Sequence, residues 1–186
     1  MKTGWLLLEW GLFLAAFVWG HLRTRSHRGR SAAAEQRVHR DRSSDAGMAL
    51  QFAALFGVFY FFVPLREPLL PWAIAVMGAG VALLWWSIHH LGRQWRLQAV
   101  ATDDHELIRT GPYAYVRHPL YVAFFAAMLG WAMAKTGLLA SAAAVLVFAV
   151  GTEIRVRAED AVLAAAFPRE FPAYRASVAA YFPGLR

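Results

Sequence analysis

Five long apolar runs, at residues 5–19, 48–63, 71–91, 119–134 and 137–152, alternate with polar segments that hold most of the charge. A helix that crosses a bilayer needs about 20 apolar residues, with about 17 as the lower limit. The third run meets that outright, and residues flanking the other four extend them toward it. Only Lys135 and Thr136 separate the fourth run from the fifth, so these two are expected to form a tight helical hairpin. The hairpin either crosses fully or packs as a buried pair that stops short. The pattern predicts an all-α integral membrane protein with about five transmembrane helices. A single membrane domain over residues 1–186 divides into three N-terminal helices (1–90) and a C-terminal part (91–186).

Charge gives the orientation. Residues 21–47 form a basic loop carrying Arg23, Arg25, Arg28, Arg30, Arg37, Arg40 and Arg42, against Lys2 alone before the first run. Basic loops stay in the cytoplasm, which places the N-terminus outside and residues 92–118 and the C-terminus in the cytoplasm. Residues 64–71 and the Lys135 turn then lie outside, so the basic segments all fall on one side. The first run lacks a small-residue cleavage site behind it and reads as an uncleaved helix rather than a signal peptide. Residues 26–47 are expected to be a loop or a weak surface helix resting on anionic headgroups.

Composition excludes some chemistry. Of 186 residues, 59% are hydrophobic and only 17% charged, against about 25% charged in soluble domains. The absence of cysteine rules out a disulfide, a thiolate nucleophile and a Cys-ligated metal. A pI near 10.4 fits nucleic acid in principle, but the arginines stand beside apolar runs, where they orient helices and meet anionic lipid; no nucleic-acid partner is expected. The Gly-Ala-Gly at 78–80 lies inside an apolar run without a preceding strand, and reads as a packing feature.

The remaining chemistry sits in residues 92–118 and 153–186. The string GPYAYVRHPLY at 111–121 combines a Gly111-Pro112 turn with a helix start at Pro119, where free N–H groups and the helix dipole suit a carboxylate or phosphate. Tyr113 and Tyr121 supply rings and hydroxyls for a flat group or a cation. Downstream, Arg155 and Glu159 lie four apart on one helix face, as do Glu153 and Arg157. Two readings stand side by side: exposed salt bridges, or a bipolar site for an ammonium and an anion. Asp103, Asp104, His105 and Glu106 are consecutive, a spacing that seldom converges on one ion, so they read as a solvated loop and no metal is expected. His89-His90 reads as an interfacial pair.

The segments LGRQW (91–95), HELIRTGPYAYVRHPLY (105–121), RVRAED (155–160) and FPREFPAYRASV (167–178) together resemble the isoprenylcysteine carboxyl methyltransferase family, related to phospholipid N-methyltransferases. Order and spacing agree over 91–121 and 155–184, while the first 90 residues match only as generic membrane helices. The resemblance implies S-adenosylmethionine as methyl donor, S-adenosylhomocysteine as product, and a cytosolic C-terminal cofactor-binding region. It places donor contacts on Gln98, His105, Glu106, Leu107, Ile108, Tyr113, His118, Pro119, Leu120, Tyr121 and Glu159. Arg155 and Trp95 fall on the acceptor side, and Arg155, Glu159 and His118 in catalytic positions. Asp160 stands where a second glutamate is usual in the family, and Arg96 where a small polar residue is common.

The implied reaction is methylation of the carboxylate of a lipophilic acceptor that enters from the bilayer. Such a transfer needs orientation and water exclusion more than acid–base help. A phospholipid amine, or a small hydrophobic thiol or acid, is the alternative acceptor within the same fold. A non-catalytic membrane subunit or a small transporter is the alternative of another class. Against a transporter, the first four runs hold almost no ionisable residue except Glu9.

Overall fold

The computed structural model describes residues 2–31, 39–40, 43–61, 63–95, 100–101 and 106–184. Each of the five apolar runs is a helix. They are α1 (Lys2–Ser31), α2 (Ser43–Tyr60), α3 (Leu70–Leu91), α4 (Pro119–Lys135) and α5 (Leu138–Ala166), followed by a short α6 (Phe171–Ser177). Pro71, Pro119 and Pro172 open α3, α4 and α6 at first-turn positions, where a missing N–H costs nothing. A two-residue antiparallel pair, His39–Arg40 with Val100–Ala101, ties the segment after α1 to the segment after α3.

Among the described residues three stretches are long and apolar enough to cross a membrane, Gly4–Arg23, Glu67–Leu91 and Leu138–Ala166, and α4 is a shorter apolar helix. Two boundaries differ from the sequence reading. The first helix runs to Ser31 and the second starts at Ser43, so the helices take up both ends of the basic segment 21–47. An apolar run ends at the first charged residue, but Arg and Ala are good helix formers and carry the helix onward.

The expected hairpin is a hairpin in connection only. Thr136 and Gly137 do join α4 to α5 tightly, yet each helix packs mainly on another: α5 on α2, and α4 on α3. Glycine explains the choice of partners. A Cβ at Gly47 would lie 2.6 Å from the carbonyl oxygen of Gly151, and one at Gly151 would lie 2.7 Å from that of Gly47. In the α3–α4 pair, Gly80 faces the Ala123 carbonyl and Gly130 the Ala73 carbonyl just as closely. In a bilayer apolar surface gains little by leaving lipid, so such close backbone approach is what holds helices together. At the far end Thr136 Oγ1 and Trp131 Nε1 both donate to Val58 O, at 2.7 and 3.2 Å.

Replacing Gly151 by valine therefore sets side-chain carbons against backbone and is expected to destabilise the fold by about 1–3 kcal/mol. Gly57→Ala on α2 meets nothing within 4 Å and is the control, expected to be neutral or slightly stabilising. Thermal melting in detergent compares the two, and equal melting points would contradict the packing argument.

Candidate functional site

The C-terminal end of α3, the N-termini of α2 and α4 and the second half of α5 meet at one end of the bundle. The turn that brings residues 111–121 there depends on Gly111, whose φ is +61° and whose absent Cβ makes room for the His90 ring. Pro112 and Tyr113 are buried in a 3₁₀ turn (Gly111–Ala114), and the chain then pairs with the C-terminal segment. Val116 bridges Ala179 in parallel, Arg117 N–H donates to Ala179 O at 2.8 Å, and His118 N–H donates to Ala180 O at 3.0 Å. From α6, the Tyr174 hydroxyl donates to Tyr113 O at 2.6 Å. Burial raises the Tyr174 hydroxyl to about 12, so it keeps the proton that this bond uses.

On α5, Thr152, Arg155 and Glu159 share a face, because three- and four-residue steps return to the same side of a helix. They meet residues from the 111–121 string in a continuous charged chain. Arg155 Nε donates to the Tyr121 hydroxyl at 2.7 Å, and that hydroxyl donates in turn to Glu159 Oε1. Arg155 Nη2 lies 3.3 Å from the same carboxylate oxygen. His118 stands between two carboxylates, with Nδ1 3.4 Å from Glu159 and Nε2 3.0 Å from Asp160. Arg117 closes the chain on Asp160 Oδ2 at 3.2 Å, and its other amino group reaches the Val178 and Arg175 carbonyls. With His118 protonated, these five groups carry three positive and two negative charges, one positive in excess.

The two readings of the α5 pairs separate here. Glu153–Arg157 is an exposed ion pair at 2.8 Å, worth at most a few tenths of a kcal/mol. Arg155 is 6% exposed and part of a built site.

Burial, the largest single influence on His118, favours its neutral form, but hydrogen bonds to Asp160 and Glu159 outweigh it and raise the imidazole above its ordinary 6.5. A raised folded-state value means that the stabilisation is fully present below about pH 6.5 and disappears as pH climbs through the higher folded value. The melting temperature should therefore fall with rising pH across that window, and His118→Asn should flatten the slope. A slope identical in the variant would assign the effect to other histidines.

A cavity of about 190 Å³ opens beside this cluster. Of the residues singled out from the sequence, it brings together Trp95, Glu106, Leu107, Ile108, Tyr113, His118, Pro119, Leu120, Tyr121, Arg155 and Glu159 in one wall. Gln98 and His105 lie outside the described residues, as does Arg96. Trp95 is 3% exposed and meets Phe17 edge-on at 5.3 Å, so most of its ring faces α1. The start of α4 offers fewer free donors than expected. Pro119 has no N–H and that of Tyr121 closes on His118 O at 3.2 Å, which leaves Leu120.

Sequence reasoning missed the rest of the lining. Phe17 from α1, Met48, Gln51, Phe52 and Leu55 from α2, and Phe124 from α4 add a mostly apolar lining to the same cavity. Asp160 was visible only as the second acid of a pair, and Arg117 only as a member of the 111–121 string without a role of its own. Among the described residues no cluster of metal-ligating side chains occurs.

Tyr113, Tyr121 and Glu159 fit a ligand that combines a flat ring with an ammonium. The Tyr113 hydroxyl is buried beside Ser87 and adds a polar group at the same place. Membrane-length helices with a pocket of charged and apolar lining at one end define an integral membrane protein.

The comparisons with known proteins agree. The isoprenylcysteine carboxyl methyltransferase family matches residues 73–165, half of the chain, and the chain belongs to that family. It is 35% identical over 112 residues to the cobalt-zinc-cadmium resistance protein CzcN of Cupriavidus metallidurans, covering 60% of this chain and 47% of that protein. It is 34% identical over 112 residues to the nickel-cobalt-cadmium resistance protein NccN of Alcaligenes xylosoxydans xylosoxydans, covering 60% of this chain and 48% of that protein. To the protein-S-isoprenylcysteine O-methyltransferase of Schizosaccharomyces pombe it is 36% identical over 84 residues, 43% of this chain and 34% of that enzyme. The chain thus spans about half the length of the two resistance proteins.

Proposed function

We propose that this protein is an S-adenosylmethionine-dependent methyltransferase that methylates the carboxylate of a lipophilic acceptor entering from the bilayer. The observation that carries the reading is a cavity lined both by charged residues (Arg155, Glu159, His118) and by apolar ones (Phe17, Phe52, Leu55, Phe124). In this proposal α2 and α4 cross the membrane with the other three helices. The N-terminus lies outside, and the site faces the cytoplasm, where the donor is dissolved.

The donor supplies a methyl group on a positively charged sulfur, which leaves as a neutral thioether when a nucleophile attacks the carbon. Glu159 takes the donor's ammonium, with Tyr113 and Tyr121 beside it. Arg155 holds the acceptor carboxylate through its guanidinium, and Tyr121 fixes the plane of that guanidinium. A carboxylate is already an anion, so no proton need move. The apolar lining takes the acceptor's tail and excludes water.

The resistance proteins match more of the chain than the prenylcysteine enzyme does, 60% against 43%. Their names specify no prenylcysteine, which leaves room for a second acceptor class, a phospholipid amine or a small hydrophobic thiol or acid, methylated by the same site. An amine or thiol has a proton to lose, and His118 or Glu159 is placed to take it.

Calorimetry of the donor and its demethylated product on detergent-purified protein, followed by labelled-methyl transfer to a panel of acceptors, tests both. Binding without preference for carboxylates would leave the second reading. The absence of donor binding by folded protein would reject both.

A further inference from the structure

We propose that Gln51, pinned by Thr152, forms a hydrogen-bonding subsite that selects acceptors carrying an N–H or O–H group between carboxylate and tail. The proposal rests on the carboxylate-methylating reading above. Gln51 is 8% exposed, lies on α2 within the mostly apolar lining, and donates from Nε2 to Thr152 Oγ1 at 2.8 Å. Thr152 is three residues before Arg155 on the same face of α5. Gly47, one turn before Gln51 on α2, lies against the Arg155 side chain. The Gln51 amide therefore sits about one helical turn, roughly 5 Å, below Arg155 along the cavity wall.

Nothing in the packing of α2 on α5 calls for an amide at this place. The two helices are already joined by the Gly47–Gly151 approach, and the Thr152 hydroxyl is able to satisfy itself on its own helix. A buried amide among Phe52, Leu55 and Met48 costs free energy unless its polar atoms are used. The bond to Thr152 uses one N–H and fixes the side chain. The carbonyl oxygen then has no partner among the described residues, and the residue stands in the cavity wall. A fixed carbonyl one turn from a carboxylate-binding arginine is matched by an acyl-amino acid, whose amide N–H adjoins its carboxylate. A plain lipophilic acid leaves that carbonyl unpaired, and such a site rejects ligands lacking the donor.

Two acceptors with one tail test this: N-acetyl-S-farnesylcysteine, which has the amide N–H, and S-farnesylthiopropionate, which lacks it. Methyl transfer and direct calorimetric binding are measured for wild type, Gln51→Leu and Thr152→Val. The wild type is expected to favour the amide-bearing acceptor about five- to tenfold, mainly in KM. Gln51→Leu should bring the ratio near one, by improving the amide-free acceptor and weakening the amide-bearing one, and it should melt no lower than wild type. Thr152→Val keeps the amide but frees it, and should lower the ratio part of the way. A ratio unchanged in Gln51→Leu, or no preference in the wild type, overturns the subsite, as does failure of folded protein to bind either acceptor. A Gln51-dependent binding preference without methyl transfer would reject the proposed activity and leave the subsite standing.

Discussion

Glu159→Gln is expected to weaken binding of the methyl donor by about 100-fold or more, the effect of removing one charge from a desolvated pair. Glutamine keeps the size and the hydrogen-bonding oxygen, so the loss reports charge. Glu159 stands at the centre of the cluster, in contact with Arg155, Tyr121 and His118. A neutral side chain there offers no counter-charge to an ammonium and leaves those cations with less compensation. Calorimetry with S-adenosylhomocysteine, which keeps the ammonium and lacks the sulfonium, measures the effect. Affinity within threefold of wild type would remove Glu159 from the donor site.

Arg155→Lys should act on the other substrate. The guanidinium bonds to Tyr121 at 2.7 Å and Glu159 at 3.3 Å, and in the proposed function it also holds the acceptor carboxylate. An ammonium lacks the rigid fork and cannot hold all three partners in one plane. Displacing the acceptor carboxylate by about 1 Å is worth about 100-fold in rate, and Arg155→Ala should lose more. The fall belongs in kcat/KM for the acceptor, with donor affinity changed only a few-fold. A variant with normal acceptor kinetics would show that Arg155 is structural.

These two predictions separate donor from acceptor because the site residues are local in sequence. Gly111-Pro112, the helix start at Pro119 and the four-residue spacing of Arg155 and Glu159 could all be read directly, since each depends on neighbours along the chain. The five helices were equally legible from hydropathy. Their pairing was not. In a soluble protein the apolar face points inward, but here lipid-facing Leu8 and Leu139 and core Leu84 are chemically alike, so pattern cannot say which face meets protein. Only the small residues carry that information, and Gly47 lay in a segment read as loop. The contacts of Arg117 with Asp160, and of Gln51 with Thr152, join positions 43 and 101 residues apart. No local pattern records such distances.

The division of the helices into α2–α5 and α3–α4 pairs makes the bundle a pair of tongs. Its pivot is the Thr136–Gly137 link, held to α2 by the Thr136 bond to Val58 O. Its jaws are the opposite ends of α4 and α5, and Tyr121 and Arg155 form the latch between them. A 17-residue arm is about 25 Å long, so a tilt of roughly 5° about the pivot parts the jaws by about 2 Å without disturbing either glycine-packed pair. Such a tilt has to break the Tyr121 bonds to Arg155 and Glu159 and the His118 contacts with Glu159 and Asp160 together, so the charged chain acts as a clasp that keeps the jaws shut.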